Sequence, residues 1–198
     1  MNVAIVILAA GAASRMGQPK QLLPINGKSL IKYITEIAMD TPCYPVTVVL
    51  GANRQLIRGE LDKMPITVID NPKWEDGMAS SIKMGLIGTY MTAKEIEAVI
   101  FLTVDMPYIS SELINKLIEE AIQNPDSQII ASKYDGQIGI PVLFKRSIFN
   151  DLLDLSGEQG AKKVILQHLN NTKTIDFPEG KFDLDTQIDY QNYLQRLN

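Results

Sequence analysis

The sequence predicts an α/β fold with three layers, in which a mostly parallel sheet carries helices on both faces. Short apolar runs alternate along the chain with segments in which apolar residues recur every three or four positions. This alternation is typical of strands that are joined by right-handed helical crossovers. The 198 residues contain no linker, repeat or low-complexity stretch, so a single domain over residues 1–198 is expected.

The first predicted strand, Val3–Ile7, is an unbroken apolar run that suits a strand buried on both faces. Apolar runs of strand length follow at Val46–Leu50, Ile66–Ile69, Ala98–Val104, Gln128–Ala131 and Pro141–Phe144. Helical spacing occurs at Ser29–Met39, Gln55–Asp62, Ala79–Tyr90, Ser111–Gln123 and Ala161–His168, and Thr186–Leu197 is expected to close the fold as a terminal helix.

The composition excludes several classes of function. The chain has 45% hydrophobic and 21% charged residues and a formal net charge of −4, which argues against a general nucleic-acid binder. Its apolar runs are far shorter than the roughly 20 residues of a membrane span, so no membrane segment is predicted. The single cysteine, Cys43, cannot form an internal disulfide, and no signal peptide is evident at the start, so a cytoplasmic protein is expected.

The most informative stretch is Leu8–Lys20, which follows the first strand directly. A loop in this position lies at the carboxyl edge of the sheet, where open α/β folds bind ligands. Its alanines and glycines allow close approach of the backbone, and successive N–H groups in such a loop can bind an anion. Arg15 and Lys20 add two cations, so the loop suits a triphosphate. The alternative is a flexible loop with two solvated cations.

This loop is neither of the two commonest nucleotide-binding signatures. A P-loop requires four residues between its glycines and then Gly-Lys-Ser/Thr, whereas five residues separate Gly11 from Gly17 and Lys20 is followed by Gln21. The dinucleotide pattern G-x-G-x-x-G is also absent.

A second signal is Asp105, which stands at the carboxyl end of the predicted strand Ala98–Val104. This position brings its carboxylate to the same sheet edge as the small-residue loop, where it can hold Mg²⁺ together with substrate phosphates. The alternative is a capping role before the helix at Ser111–Gln123, but Ser110 is better placed for that role.

Further carboxylates occur near the carboxyl terminus. Asp183 and Asp185 alternate and would share one face of an extended segment. From spacing alone, Asp185 is equally suited to hold a metal ion and to cap the terminal helix, for which Thr186 is another candidate with Asp189 in the first turn.

Five motifs in this order resemble those of the MobA-like nucleotidyltransferases, and most closely the molybdenum cofactor cytidylyltransferase type. The first is the loop at Leu8–Pro24 with its Gly11, Arg15 and Lys20. The other four are the segments Asn71–Leu86, Asp105–Pro107, Leu155–Ala161 and Asp183–Tyr190. The resemblance covers nearly the whole chain and implies a Rossmann-like nucleotidyltransferase fold.

The resemblance also implies roles for the matching residues. Arg15, Lys20 and Asp105 would be catalytic, and Asp105 and Asp185 would hold Mg²⁺, with Asp183 as the other candidate for the second position. The substrates would lie against Leu8, Ala9, Ala10, Gly11, Asn71, Gly77, Met78, Ser81, Gly139 and Pro141.

The implied reaction is the transfer of CMP from CTP to molybdopterin or its molybdenum form, with release of pyrophosphate. CTP is favoured because cytidylyl-transferring members carry Ala-Ala-Gly where guanylyl-transferring members tend to carry Gly-Gly, and this chain has Ala9-Ala10-Gly11. A molybdenum hydroxylase or its maturation factor is the implied protein partner.

Two residues depart from the family pattern, and both lie on the acceptor side. Ile140 replaces the histidine of Gly-His-Pro, and Met106 replaces a glutamine. A sugar or polyol phosphate is therefore a second acceptor to consider. A different class of function is a cofactor-carrying maturation factor for a molybdenum hydroxylase, which would show little turnover.

Overall fold

The central element of the molecule is a seven-stranded sheet in the order β5-β4-β1-β6-β8-β7-β9. The computed structural model describes residues 1–197, and of Ser14 and Leu197 it describes the backbone alone. The strands of this sheet are β1 (Val3–Ala9), β4 (Val46–Leu50), β5 (Thr67–Asp70), β6 (Ala98–Thr103), β7 (Ile129–Tyr134), β8 (Gln137–Lys145) and β9 (Thr172–Asp176). A separate two-stranded ribbon consists of β2 (Pro24–Ile25) and β3 (Lys28–Ser29).

Six of the seven strands run in one direction, because β8 alone is antiparallel to both of its neighbours. The predicted α/β fold with a mostly parallel sheet is therefore confirmed. The helices on its two faces are α1 (Leu30–Met39), α2 (Arg54–Glu60), α3 (Met78–Thr92), α4 (Ser111–Gln123), α5 (Phe149–Leu153), α6 (Ala161–Gln167) and α7 (Gln187–Leu197). None of these described helices combines the length and the apolar character that crossing a membrane requires.

The sheet separates two apolar layers, as the unbroken apolar run of β1 predicts. Ile5 and Ile7 belong to the layer that contains α1 and α4, and Val6 and Leu8 belong to the layer that contains α3 and α6. Because side chains of a strand alternate between faces, a strand covered on both sides must be apolar at every position.

The largest differences from the predicted elements lie in the second half of the chain. Strand β8 begins at Gln137 rather than at Pro141, and β9 was not predicted. Its sequence, Thr172–Asp176, contains one buried side chain among exposed or half-exposed ones, because β9 is an edge strand with one neighbour. Such a strand carries too little apolar pattern to be distinguished from a loop.

The direction of the strands decides which segments meet at one edge of the sheet. The carboxyl ends of β1, β6, β7 and β9 lie at the same edge as the beginning of β8. The segments that follow Ala9, Thr103 and Asp176 therefore converge there, and the candidate site lies at this edge.

Candidate active site

The loop after β1 changes direction through two short 3₁₀ turns, at Ser14–Met16 and Lys20–Leu22. Left-handed backbone conformations flank the first turn, at Ala13 with φ of 53° and at Gly17 with φ of 73°. The second turn lies beside the start of the loop, so that Lys20 faces the end of β6.

Lys20 lies between two aspartates from distant parts of the chain. Its Nζ is 2.6 Å from Asp105 Oδ2 and 3.2 Å from Asp185 Oδ1, and 14% of the Lys20 side chain is exposed. The Nη2 atom of Arg15 is 3.0 Å from Asp185 Oδ2, at a position where 71% of the Arg15 side chain is exposed. The structure thus brings together Arg15, Lys20, Asp105 and Asp185, and their catalytic and metal-binding roles stay predictions.

The aspartates set the electrostatics of this cluster. Burial alone would lower the pKa of Lys20, but the charges and hydrogen bonds of Asp105 and Asp185 outweigh it and raise that pKa. Lys20 is therefore a cation throughout the physiological pH range. Partial desolvation, followed by the charges of Asp105 and Asp185, raises the pKa of Asp183 to about 6.

Helix caps settle two alternatives that the sequence left open. Thr186 caps α7, since Asp189 N–H donates to Thr186 Oγ1 at 3.2 Å and Thr186 N–H donates to Asp189 Oδ2 at 2.8 Å. Asp185 is therefore left to contact Arg15 and Lys20. Ser110 caps α4 by accepting from Leu113 N–H at 3.3 Å, which leaves Asp105 free of that role.

A cavity of about 320 Å³ extends from this cluster along the loop and toward the beginning of α3. Of the residues that the sequence predicted for the site, its lining includes Leu8, Ala9, Ala10, Gly11, Lys20, Gly77, Met78, Ser81 and Asp105. The lining thus includes one cationic residue, Lys20, and one hydroxyl-bearing residue at the start of α3, Ser81.

The remaining predicted substrate residues lie outside this lining. Asn71 is 1% exposed and organises the segment before α3, since its Nδ2 donates to Ser80 Oγ at 2.8 Å and to Ser81 Oγ at 3.0 Å. Gly139 lies under Tyr134, because a Cβ added there would be 2.5 Å from the Tyr134 hydroxyl. Pro141 follows in β8, where its carbonyl accepts from Ser132 Oγ at 2.7 Å.

Close backbone packing fixes the wall of the cavity at α3. Gly77 has φ of +100°, and a Cβ there would overlap the Gly157 carbonyl. Ala79 N–H also donates to Gly157 O at 3.1 Å, so the 155–160 segment is held against the start of α3. Trp74 packs on Gly51, where a Cβ would be 2.6 Å from Trp74 Cβ.

The sequence assigned no site role to several residues of the lining, namely Gln21, Trp74, Glu75, Thr103, Val104 and Glu158. Gln21 is adjacent to Lys20 and could have been found from that position. Glu158 belongs to the Leu155–Ala161 motif, but only the folded chain, in which Gly157 meets Gly77, shows that it reaches the cavity.

Asp105 and Asp185 place two carboxylates beside the ammonium of Lys20, and such a pair could also hold a metal ion. Mg²⁺ is commonly held by one or two carboxylates, and substrate phosphates and waters complete its shell. Within residues 1–197, no group of three or more His, Cys, Asp or Glu side chains is arranged to hold a metal ion. Asp105 and Asp185 therefore fit a metal ion that a bound phosphate helps to hold.

The fold and the matched sequence place the chain among the nucleotidyltransferases. The family described as the MobA-like NTP transferase domain matches residues 5–172. The chain therefore belongs to that family.

Two curated proteins with different names are similar in sequence to parts of this chain. Nicotine blue oxidoreductase of Paenarthrobacter nicotinovorans is 33% identical over 114 residues, which are 57% of this chain and 54% of that protein. The bifunctional protein GlmU of Thermotoga petrophila is 30% identical over 140 residues, which are 68% of this chain and 29% of GlmU. The matches thus span about half of the first relative and less than a third of the second.

Solved structures match over nearly the full chain. A homologue of Rv0371c from Mycobacterium sp. strain JC1 has a TM-score of 0.83 and 27% identity, and the match covers 99% of this chain and 98% of that one. Rv0371c from Mycobacterium tuberculosis, solved as a complex with manganese, has a TM-score of 0.80 and 21% identity over 98% of this chain and 99% of that one. At the latter identity the likeness shows the fold alone.

Proposed function

We propose that this protein transfers a nucleotidyl group from a nucleoside triphosphate to a phosphate-bearing acceptor and releases pyrophosphate. The proposal rests on one observation: Lys20 lies between Asp105 and Asp185, and it borders a cavity that the small-residue loop also lines. In the reaction, an acceptor phosphate oxygen forms a bond to the α-phosphorus. The bond from that phosphorus to the bridging oxygen breaks, and pyrophosphate leaves with that oxygen and its electron pair.

The proposed residues suit this chemistry because phosphoryl transfer needs positioning and charge neutralisation more than covalent catalysis. The acceptor phosphate is already an anion, so no general base is required. Lys20 and Arg15 would neutralise the triphosphate, and loop N–H groups would donate to its oxygens. Asp105 and Asp185 would hold a divalent ion, which would supply further charge neutralisation when bound. The manganese complex of Rv0371c supports the use of a divalent ion, and the choice of these two aspartates rests on their place beside Lys20.

We propose CTP as the donor and molybdopterin, or its molybdenum form, as the acceptor. Ala9 and Ala10 both border the cavity. The Ala9 side chain packs in the apolar layer with Ile5 and Ile7, so the Ala10 methyl group is the one that would narrow the space beside the base and favour a pyrimidine over a larger purine. We expect this steric exclusion to favour CTP over GTP by at least about tenfold in kcat/KM, or roughly 1.4 kcal/mol. The protein partner proposed for the product is a molybdenum hydroxylase or its maturation factor.

Pyrophosphate release tests the proposal. The protein is mixed with Mg²⁺, with CTP or GTP, and with molybdopterin, a sugar 1-phosphate or a polyol phosphate. Release that requires CTP and molybdopterin supports the full proposal, whereas release with a sugar or polyol phosphate would reassign the acceptor. Asp105→Asn serves as the inactive control, and oxidation of added NADH is followed in parallel because one relative is named an oxidoreductase.

Absence of release with every pair, together with tight binding of molybdopterin, would favour the maturation-factor function instead. A preference for GTP would reject the cytidylyl assignment and leave nucleotidyl transfer in place.

A further inference from the structure

Gln21 is a buried polar side chain that tethers the loop after β1. It is 0% exposed, although it borders the cavity. Its Nε2 donates to Ala9 O and to Gly11 O, each at 2.9 Å. Because a side-chain amide donates only through its nitrogen, these two bonds fix the orientation of the amide.

The backbone of β4 and its following loop completes the tether. Ala52 N–H donates to Ala10 O at 2.9 Å, so three consecutive carbonyls, at Ala9, Ala10 and Gly11, are bound by groups of the protein. In a trans peptide the C=O and the following N–H point in opposite directions. The N–H groups of Ala10 and Ala12 therefore point away from Gln21, and that of Gly11 points away from Ala52.

Two of these three N–H groups are free to bind a ligand. Among the side chains and backbone that the structure describes, Gly11 N–H and Ala12 N–H have no hydrogen-bond acceptor. Gly11 borders the cavity, so its free N–H adds positive partial charge there, as in anion-binding nests, and the free N–H of Ala12 follows it in the same loop.

We infer that Gln21 is a positioning residue that makes the loop selective for anions, because it holds two carbonyls away from the phosphates of a bound nucleotide. The inference rests on the proposed function, since it assumes that the cavity binds a nucleoside triphosphate. If the amide were lost, Ala9 O and Gly11 O would be free to turn toward the phosphates and repel them.

The unpaired oxygen of Gln21 supports a role beyond packing. Gln21 Oε1 is buried and has no hydrogen-bond partner among the described residues. Leaving a buried acceptor unpaired is unfavourable, and such groups are uncommon in native structures. If this position only filled space, an apolar side chain of similar size would avoid the free-energy cost of a buried, unpaired oxygen. The two hydrogen bonds that Gln21 Nε2 donates are therefore the reason we infer for an amide at this position.

Binding measurements with and without phosphates test the inference. Gln21→Met keeps the volume of the side chain and removes the amide, and Gln123→Met is the matched control on the exposed face of α4. Binding of CTP is measured by calorimetry and binding of cytidine by NMR titration. We expect Gln21→Met to lower the affinity for CTP about 10–30-fold and to change the affinity for cytidine less than about twofold. The reason is that the tethered carbonyls would affect only a ligand that carries phosphates.

If Gln21 had only a structural role, Gln21→Met would lower the affinities for CTP and cytidine by similar factors, and this result would overturn the inference. An unchanged affinity for CTP would overturn it as well. Gln21→Glu provides a second variant if Gln21→Met does not fold, since it keeps the shape and replaces the donor with an oxygen that repels both carbonyls. It is expected to show the same selective loss. If the parent bound CTP no more tightly than cytidine, the choice of CTP as donor and the inference would both be overturned.

Discussion

At the scale of single residues, Lys20 is the group on which the proposed site depends most. Its ammonium neutralises Asp105 and Asp185, at 2.6 Å and 3.2 Å. A divalent ion that binds the two carboxylates would compete with this ammonium, and an ammonium released in this way would be available to a phosphate. Lys20 would therefore help turnover and hinder the binding of free metal.

Lys20→Met is expected to change these two quantities in opposite directions. Turnover should fall by about 10²–10³-fold, the usual effect of removing one preorganised charge-stabilising group. The affinity for Mn²⁺ without nucleotide, measured by calorimetry, should rise because the competing cation is gone. Lys28→Met removes an exposed lysine that pairs with Glu36 and serves as the control. Full turnover in Lys20→Met at saturating substrate would remove Lys20 from the site.

Asp183 makes the stability of the folded protein depend on pH. Its pKa in the folded protein is about 6, above the ordinary value of 3.8. A carboxyl whose pKa is raised by folding contributes stability at pH values below 3.8, and this contribution is lost as the pH rises toward 6. Asp183→Asn should therefore raise the melting temperature at pH 7.5, and the gain should shrink toward pH 4.

The expected gain is small, about 1–3 °C, because the side chain of Asp183 is exposed and solvent screens its interactions. Melting curves of Asp183→Asn, of the parent and of the exposed control Asp62→Asn at four pH values test the expectation. A lower melting temperature for Asp183→Asn at pH 7.5 would show that Asp183 stabilises the fold as a carboxylate.

At the scale of elements, the start of α3 depends on a backbone contact that a single methyl group would break. Gly77→Ala would place a Cβ against the Gly157 carbonyl in addition to straining a backbone with φ of +100°. Gly136→Ala is the matched control, since Gly136 has φ of +71° and open space around it. We expect Gly136→Ala to cost about 1–2 kcal/mol and Gly77→Ala clearly more, about 3–4 kcal/mol, in chemical denaturation. Equal costs would mean that the contact with Gly157 contributes nothing.

The elements that the sequence predicted well are those with a local pattern. The apolar run of β1 and the periodic spacing of α4 reveal strand and helix because burial imposes them on neighbouring residues. Strand β9 escapes prediction because an edge strand exposes most of its side chains. The ribbon of β2 and β3 escapes it because two-residue strands offer no periodicity to read.

The same distinction holds for the candidate site. Lys20 and Asp105 follow recognisable strands, so their place at the sheet edge can be deduced from the chain. The choice of Thr186 over Asp185 as the cap of α7 depends on hydrogen-bond geometry that spacing alone leaves equal. The cavity wall at Glu158 depends on the approach of two glycines, Gly77 and Gly157, which is a property of the folded chain.

At the scale of the whole molecule, the order of the strands predicts which strands open locally and which open only when the whole protein unfolds. Strands β1 and β6 lie inside the sheet with nearly every side chain buried, whereas β9 lies at an edge. Amides in β1 and β6 should exchange with deuterium only through global unfolding, and those in β9 through local opening. Exchange followed by mass spectrometry tests this order. Equal protection of β9 and β1 would contradict it, and slower exchange in β9 would reverse it.

The single reversed strand has an evolutionary consequence. Because β8 runs against its neighbours, the turn between β7 and β8, at Asp135 and Gly136, projects from the functional edge. Extra residues inserted in such a tight hairpin lengthen the loop without changing strand register inside the sheet. Descendants of this chain could therefore gain new side chains at this edge by insertion at residues 135–136, while the loop at Gly11 and the aspartate at 105 stay fixed. The hairpin is thus a place where the chain can lengthen beside the candidate site without any change to Lys20, Asp105 or Asp185.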